Sequence, residues 1–567
     1  MNTSDNHQTT DFDAIVVGSG ISGGWAAKEL CEKGLKVLVL ERGKPLVHGS
    51  GYKSEHIAPW EIPYGGKPMR ELYKEEYPIQ SQCFGFDETT RNYFINDHDN
   101  PYQQAQPFTW TRADIVGGKS LLWARQVYRW SNLDFDANKK DGNGIDWPIR
   151  YKDIADWYSY VEEFAGVSGE ALGLDHLPDG VFQKPMELNS VEKHIKQVIE
   201  SQFKGRHLTI GRTATQTEPK NGRGACHYCG PCYRGCSVGA SFSSLGSTLP
   251  AAQKTGNLTL EPNSIVEKLE FDPGTERVSA VKVVDTLTGE RRLVSGRMVF
   301  LCASAMASNQ IMLNSRSDRF PNGIANDSGV LGHYVMDHFG DGVFGLMPGF
   351  ESRYYTGRRP NNFYIPRFRN LKDETGEHNF LRGYGMQGLA MRGNWSMMAS
   401  QVPGFGAKLK HALMQPGPWI AFMGGFGEQL PRYENRVTLD ETKLDKYGIP
   451  QARFDCSFSE NEENMRKDMV ATGMEMLKAA GAVHVSSGRS NEVPGDAIHE
   501  MGGARMGADP ADSILNQHNQ AHSVRNLFVT DGAAMTSSSC VNPSLTYMAL
   551  TARAADYAAT QFKANLL

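Results

Sequence analysis

The chain lacks any long apolar stretch, and no run approaches the roughly 18 residues that a membrane-spanning helix needs. Its first residues, MNTSDNHQTTDFD, lack the basic and apolar regions of a secretory signal. We therefore expect either the cytoplasm or export in the company of a partner. The chain also lacks an excess of positive charge. Its net charge of −5 and pI near 6.4 argue against nucleic acid as a ligand.

What is present is a long chain of ordinary globular composition. It has 567 residues, of which 40% are hydrophobic and 22% are charged. This length corresponds to several domain equivalents, which a large α/β enzyme can fuse into two. The 59 glycines are in keeping with a backbone that approaches ligands closely at several points.

The N-terminal region has the pattern of a dinucleotide-binding unit. An apolar run over 13–17 predicts a buried parallel strand, and the glycines of a G-x-G-x-x-G turn follow it at Gly18, Gly20 and Gly23. A helix and a second strand come next, and that strand ends at Glu41. The turn and the helix N-terminus fit a pyrophosphate, and the acid fits ribose hydroxyls. This pattern predicts a dinucleotide but does not decide between FAD and NAD.

A cysteine run in the middle of the chain has the spacing C-x2-C-x2-C-x3-C, which bacterial ferredoxins use for iron–sulfur clusters. Its members are Cys226, Cys229, Cys232 and Cys236. A zinc site usually joins separated pairs, and disulfides between such close neighbours are strained. Zinc, disulfides and free thiols stay open as alternatives, but the run favours a cluster. Because the fourth ferredoxin cysteine serves another cluster, both a [3Fe-4S] and a [4Fe-4S] form remain open.

The C-terminal region carries a second set of motifs. His499 begins the loop HEMGGARMG, Asp531 and Gly532 end a predicted strand LFVTDG, and Asn542 precedes an Ala-rich predicted helix. A neutral histidine can take the proton of an alcohol as a hydride leaves its carbon, and an amide can orient the same hydroxyl. The alternatives are a structural role for His499 and a helix N-cap role for Asn542.

Together these motifs resemble the glucose–methanol–choline (GMC) oxidoreductases, with a loop that contains Gly117, Gly118 and Ser120 and with the segments WPIRYKDIADWY and NRVTLD. The resemblance covers essentially the whole chain. It implies FAD as cofactor, His499 as catalytic base and Asn542 as its partner. Some members bond the flavin covalently to a histidine near this loop, where this chain has none, so we expect non-covalent FAD. The cofactor-binding positions that it implies are Gly18, Gly20, Gly23, Glu41, Arg42, Gly117, Gly118, Ser120, Val266, Asp531, Gly532 and Asn542.

The cysteine run narrows the resemblance to the flavin subunits of bacterial sugar dehydrogenases, and first among them to glucoside 3-dehydrogenases. That branch implies oxidation of a sugar hydroxyl, with C3 of a glycoside favoured, and electron transfer through the cluster to a cytochrome c. It also implies a small partner subunit with a twin-arginine signal, and hence a periplasmic location. Gluconate, fructose and glucose dehydrogenases, and oxidases that use oxygen, are the alternatives. We expect Gln126, Asn96 and the aromatic residues around Tyr102 to line the sugar pocket.

The expected fold is α/β, with a Rossmann-like FAD-binding domain and a substrate domain built on a mixed or antiparallel sheet. Strand-like segments such as GVFGLM, PWIAFMGG and NRVTLD predict that second sheet. The FAD-binding domain is predicted to comprise 1–50, 100–130, 225–335 and 500–567. The substrate domain is predicted to comprise 51–99, 131–224 and 336–499.

Overall fold

The computed structural model of the protein describes residues 7–58, 60–66, 70–354, 359–372, 374, 376–393 and 402–567. The strands are β1 (His7–Val17), β2 (Val37–Leu40), β3 (Gln103–Gln104), β4 (Thr209–Ile210), β5 (Leu258–Glu261), β6 (Ser264–Asp272), β7 (Arg277–Asp285), β8 (Arg291–Leu301), β9 (His333–Met336), β10 (Gly340–Leu346), β11 (Phe363–Ile365), β12 (Tyr384–Arg392), β13 (Trp419–Gly427), β14 (Arg436–Leu444), β15 (Pro450–Asp455), β16 (Val483–Ser490), β17 (Met501–Gly503) and β18 (Leu527–Val529). The α-helices are α1 (Ile21–Glu32), α2 (Asn132–Phe135), α3 (Ala137–Asp141), α4 (Ala155–Ala165), α5 (Ser190–Gln202), α6 (Thr248–Lys254), α7 (Ala305–Asn314), α8 (Gly406–Met414), α9 (Glu460–Ala479) and α10 (Ser544–Lys563).

The first sheet has seven strands in the order β5-β2-β1-β8-β7-β6, with β18 also paired to β8. The strands β1, β2, β5, β8 and β18 pair in parallel, and β6 and β7 continue the sheet in antiparallel fashion. The apolar residues Ala14 to Val17 are buried on both faces of β1, as a central parallel strand requires. The α1 and α10 helices pack against each other beside this sheet. This confirms the predicted α/β class.

The second sheet has six strands in the order β16-β10-β13-β12-β11-β4, and its neighbours pair in antiparallel fashion. It contains the predicted strands GVFGLM and PWIAFMGG as β10 and β13. The long helix α9 covers one face and buries four methionine or leucine side chains there, namely Met465, Met469, Met476 and Leu477. The predicted antiparallel sheet is therefore confirmed.

A third sheet has the order β17-β9-β14-β15-β3. It contains the predicted strand NRVTLD as β14, so the prediction that this strand belongs with β10 and β13 was wrong. Its strand β17 follows directly on His499 and Glu500, and its strand β9 leads into Asp337 and His338. The strands of the first sheet fall in the predicted FAD-binding segments, and those of the second fall in the predicted substrate segments. The limits of the two domains themselves stay a prediction. Among the helices that the structure describes, none is long and apolar enough to cross a membrane.

Candidate functional site

A large cavity opens at the carboxyl ends of the parallel strands of the first sheet. Its volume is about 330 Å³. Its walls come from the ends of β1, β2 and β8, from the loop after Gly117, and from two strands of the second sheet. Open α/β sheets bind ligands at this edge. The cavity therefore joins the predicted dinucleotide site to the predicted catalytic residues.

The glycine turn between β1 and α1 leaves room for a ligand at one position only. A methyl group on Gly20 would meet no atom within 4 Å, although this residue borders the cavity. A methyl group on Gly18 would lie 2.5 Å from the carbonyl oxygen of Cys302, and one on Gly23 would lie 1.9 Å from that of Gly18. Gly20 thus lines the cavity, while Gly23 permits the tight packing of the turn. This space fits a pyrophosphate at the N-terminus of α1.

Glu41 stands at the end of β2, buried at the cavity wall. One of its carboxylate oxygens accepts hydrogen bonds from the Ser19 amide at 2.9 Å and hydroxyl at 2.6 Å, and the other accepts from the Gly43 amide at 2.7 Å. Burial raises the pKa of Glu41. A carboxylate has about four acceptor positions, so one remains for a ribose hydroxyl.

Most of the other predicted cofactor residues also border the cavity. Asp531 accepts hydrogen bonds from the Ser308 hydroxyl at 2.5 Å and the Ala533 amide at 3.0 Å, and burial raises its pKa to about 6. Gly117 lies behind the wall, where its amide donates to the Ser19 hydroxyl at 2.8 Å. The remaining predicted residues that line the cavity are Arg42, Gly118, Ser120, Val266, Gly532 and Asn542.

The structure brings His499 and Asn542 together at the cavity wall. The Nδ2 atom of Asn542 is 3.3 Å from the Nε2 atom of His499. The Oδ1 atom of Asn542 accepts from Gln387 at 2.5 Å. The N-cap residue of α10 is Pro543, and the Asn542 side chain contacts Gln387 and His499. The alternative of an N-cap role for Asn542 is therefore wrong.

Two neighbouring residues that the sequence analysis did not single out hold His499. The Nδ1 atom of His338 is 2.9 Å from Nδ1 of His499. The carboxylate of Asp337 accepts from the amide of His499 at 3.0 Å and from two further amides of the same loop, those of Gly495 and Ala497. No spacing signal in the sequence links these residues to a motif more than 150 positions away.

The backbone before His499 adopts a costly conformation. Ile498 has φ 60°, in a left-handed region that β-branched residues rarely occupy. The three amide hydrogen bonds to Asp337 hold this loop in place. Strain of this kind persists only where surrounding contacts enforce it, and it is often found at functional sites.

The electrostatics of this wall favour a neutral histidine. Desolvation lowers the pKa of His499 well below its usual range, and the neighbouring His338 and Lys119 lower it further. Lys119 pairs with Glu500 at 2.9 Å. Burial, and then Glu500, raise the pKa of Asp337 to about 8. A neutral imidazole with a free ring nitrogen can accept a proton from a bound hydroxyl.

Of the three residues named for the sugar pocket, one borders the cavity and two do not. Gln126 borders the cavity, as does Gln387 of β12. Asn96 does not, because its side chain accepts from the Asp99 amide in a local turn. Tyr102 does not either, because its ring packs beside Phe454 and its hydroxyl donates to the carbonyl of Phe108. The prediction was wrong for both of these residues.

The cysteine run forms a loop on the far side of Arg125, whose guanidinium donates to the carbonyl of Cys232 at 3.0 Å. All four cysteines are free thiols, and Cys229 is exposed. Burial raises the pKa of Cys226 to about 11. In the described part of the chain, no three His, Cys, Asp or Glu side chains converge as metal ligands would. The thiols have the right chemistry for a cluster, but the structure gives the predicted cluster no support.

Two family models, both described as GMC oxidoreductase, match residues 12–339 and 431–551. The chain belongs to the GMC oxidoreductase family. It is 29% identical to 2-methyl-1,2-propanediol dehydrogenase of Mycolicibacterium austroafricanum, over 97% of this chain and 95% of that protein. It is 25% identical to the large subunit of fructose dehydrogenase of Gluconobacter japonicus, over 97% of this chain and 98% of that protein.

Solved structures show the same fold. A formate oxidase structure from Aspergillus oryzae RIB40 superimposes over 100% of both chains with a TM-score of 0.62 and 14% identity. As a GMC oxidoreductase, this protein binds FAD and oxidises the CH–OH group of an alcohol or sugar. The Gly20 space and the remaining acceptor position of Glu41 fit FAD in the cavity.

Proposed function

We propose that this GMC oxidoreductase oxidises a secondary hydroxyl of a sugar or glycoside, with C3 of a glycoside as the favoured position. The observation that carries the proposal is the hydrogen-bonded group of His499 and Asn542 at the wall of the cavity. Two buried glutamines, Gln126 and Gln387, border the same cavity. Amide groups of this kind recognise several hydroxyls at once, and a site built that way rejects analogues that lack them.

The side chains define the path of the proton. A substrate hydroxyl placed between the two residues would accept from Nδ2 of Asn542 and donate to Nε2 of His499. As the hydroxyl proton moves to His499, the carbon becomes a better hydride donor. FAD supplies the hydride acceptor when it is bound. The loop held by Asp337 keeps the imidazole in place during this transfer.

The substrate class is tested by anaerobic flavin reduction with a panel of alcohols. The panel contains methyl glucoside, lactose, glucose, gluconate, fructose and 2-methyl-1,2-propanediol. Bleaching by glycosides with a blocked anomeric carbon would support oxidation at C3. Bleaching only by free glucose, gluconate or fructose would indicate a glucose, gluconate or fructose dehydrogenase instead. Bleaching only by the small diol would contradict a sugar substrate.

The role of His499 is tested in the same assay. His499→Ala removes the base, so we expect flavin reduction to slow roughly 100-fold or more while the FAD content stays unchanged. A near-normal rate of flavin reduction would contradict the assignment. Hydrogen peroxide formation in air would indicate the alternative, an oxidase.

Non-covalent FAD belongs to the same proposal. Among the described residues that line the cavity, His499 is the only histidine. His176, the first histidine after the Gly117 loop in the sequence, is not part of that lining. Acid precipitation of the protein should therefore release all of the flavin into the supernatant. Flavin that stays with the precipitate would contradict non-covalent binding.

The iron–sulfur cluster remains a separate proposal that rests on the spacing of the four cysteines. Iron and sulfide analysis with electron paramagnetic resonance tests it, and iron-free protein loaded with zinc would refute it. Cys229→Ser distinguishes three ligands from four, with Cys456→Ser as a control because Cys456 is buried in another part of the chain. The cytochrome c acceptor, the small partner subunit and the periplasmic location are proposed from the resemblance to the flavin subunits of bacterial sugar dehydrogenases. Cell fractionation with and without the partner subunit tests the last two.

A further inference from the structure

The imidazole of His338 lies between His499 and the backbone that precedes Asn542. It is fully buried, and its ring meets that of His499 edge-on at 81°, with 4.9 Å between the centroids. Its Nδ1 atom is 2.9 Å from Nδ1 of His499. Its Nε2 atom is 3.2 Å from the carbonyl oxygen of Ser538 and 3.0 Å from that of Ser539. Both ring nitrogens therefore have defined partners.

The two carbonyls determine which nitrogen of His338 carries hydrogen. A carbonyl oxygen only accepts hydrogen bonds, so Nε2 of His338 must be the donor. Burial lowers the pKa of His338 to about 4, so near pH 7 the ring is neutral and its Nδ1 atom is bare. The 2.9 Å contact then requires that Nδ1 of His499 carries the hydrogen. In a neutral His499 this leaves Nε2 as an acceptor.

The hydrogen bonds on the Nε2 side of His499, which run from Asn362 through Gln387 to Asn542, indicate the same tautomer. Asn362 donates to Oε1 of Gln387 at 3.0 Å, and Gln387 donates through Nε2 to Oδ1 of Asn542. The remaining donor of Asn542, its Nδ2 group, faces Nε2 of His499 at 3.3 Å. An amide NH₂ group only donates, so it requires a bare Nε2 atom. With these amide orientations, the contact at Nε2 of His499 agrees with the tautomer that the contacts of His338 assign.

The charged groups around His499 do not compete for its Nδ1 hydrogen. Asp337 uses its carboxylate on backbone amides of the 495–499 loop, and Glu500 is paired with Lys119. The described contacts of Nδ1 lead to His338. His338 is therefore the acceptor on which the tautomer of His499 depends.

We propose that His338 is a positioning residue that holds His499 with hydrogen on Nδ1 and with Nε2 free for the substrate hydroxyl. The proposal rests on the proposed function, because it assigns a role in the same proton transfer. With the opposite tautomer, Nε2 would donate to the hydroxyl oxygen and would not take its proton. A wrong tautomer at a catalytic histidine costs orders of magnitude in rate even when the geometry is intact.

The test compares two substitutions of His338 in the FAD-loaded enzyme. His338→Asn places an amide oxygen near the former Nδ1 atom and keeps an acceptor for His499. His338→Leu fills a similar volume without any acceptor. We expect the limiting rate of anaerobic flavin reduction to fall roughly 100-fold or more in the leucine variant and less than about 10-fold in the asparagine variant. FAD content and the substrate concentration for half-maximal rate should stay within about threefold in both.

A matched control is His518→Leu. The ring of His518 stacks on Tyr557 at 3.9 Å, and His518 does not line the cavity. Its rate of flavin reduction should equal that of the parent. Equal slowing in the asparagine and leucine variants of His338 would show that the ring only fills space, and near-parent rates in both would exclude any role. Either result would overturn the proposal.

A substrate-free measurement separates this proposal from the proposed function. Nitrogen-15 NMR of histidine-labelled parent enzyme distinguishes bare from protonated ring nitrogens, and His499→Gln identifies the His499 signals by their loss. We expect a bare Nε2 atom in the parent and a protonated fraction in His338→Leu. A parent enzyme with hydrogen on Nε2 of His499 would overturn the proposal even if every sugar reduces the flavin. If no sugar reduces the flavin but Nε2 is bare, the substrate assignment fails and the tautomer assignment stands.

Discussion

The Gly20 and Gly23 positions give a prediction in which two identical substitutions have different effects. Both glycines belong to the turn between β1 and α1, and each can be changed to alanine by adding one methyl group. In the folded chain, the methyl group of Gly23→Ala would lie 1.9 Å from the carbonyl oxygen of Gly18. The methyl group of Gly20→Ala would meet nothing within 4 Å. The first change therefore stresses the fold, and the second obstructs the ligand space.

The distances set the size of each effect. An ordinary contact of this kind is about 3.5 Å, so Gly23→Ala forces a backbone shift of more than about 1 Å in a buried turn. We expect a loss of roughly 3 kcal/mol or more in the free energy of unfolding. Gly20 has φ −67°, which alanine adopts readily, so Gly20→Ala should cost only about 1 kcal/mol as a lost N-cap glycine. Its methyl group should weaken FAD binding at least tenfold, or about 1.4 kcal/mol.

The assay measures the two quantities separately. Urea denaturation of the flavin-free proteins reports stability, and fluorescence titration with FAD reports affinity. Gly20→Ala should show near-parent stability with weakened FAD binding, and Gly23→Ala should show lowered stability. Parent-like FAD affinity in Gly20→Ala would refute the placement of the pyrophosphate at this turn. Equal destabilisation of both variants would refute the inference that a methyl group clashes at Gly23 and has free space at Gly20.

Three further predictions concern the site. Lys119→Met removes a charge that lowers the pKa of His499, so that pKa should rise. The pH below which flavin reduction slows should rise with it, and an unchanged pH profile would show that Lys119 does not influence His499. Gln387→Leu frees the amide of Asn542 to rotate, and we expect the limiting rate to fall roughly tenfold with unchanged FAD content; an unchanged rate would exclude an orienting role. Burial lowers the pKa of His338 to about 4 from 6.5, so the unfolded chain takes up a proton between these values while the folded chain does not. Stability should therefore fall by roughly 2–3 kcal/mol more between pH 7.5 and 4.5 in the parent than in His338→Asn, and equal losses in urea denaturation would contradict the neutral state of His338.

The local units of the fold could be predicted because their signals lie within short segments. The turn from Gly18 to Gly23 and the strand that ends at Glu41 fall within one βαβ unit, and the structure has β1, α1 and β2 there. The Ala-rich segment after Pro543 is helical as predicted. In each case, the spacing of hydrophobic residues and the glycine or proline residues at the ends determine the element without help from distant residues.

The sequence did not indicate the residues that serve the site from a distance. His338 lies in the link between β9 and β10, and Gln387 lies in β12; both meet the C-terminal motif only through the packing of three sheets. Asn96 and Tyr102 were wrongly assigned because a polar or aromatic residue has the same signature in a structural turn as in a pocket. Only their hydrogen-bond partners distinguish the two cases.

The division of the cavity between two sheets has a consequence for how this enzyme can diverge. The dinucleotide edge belongs to the parallel sheet, whereas Gln387 and Phe426 reach the cavity from the adjacent antiparallel strands β12 and β13. Part of the surface offered to a substrate can therefore change within one pair of strands while the flavin edge stays the same. Selection for a new alcohol would act first on these two paired strands, and a library confined to β12 and β13 is the shortest route to altered substrate range.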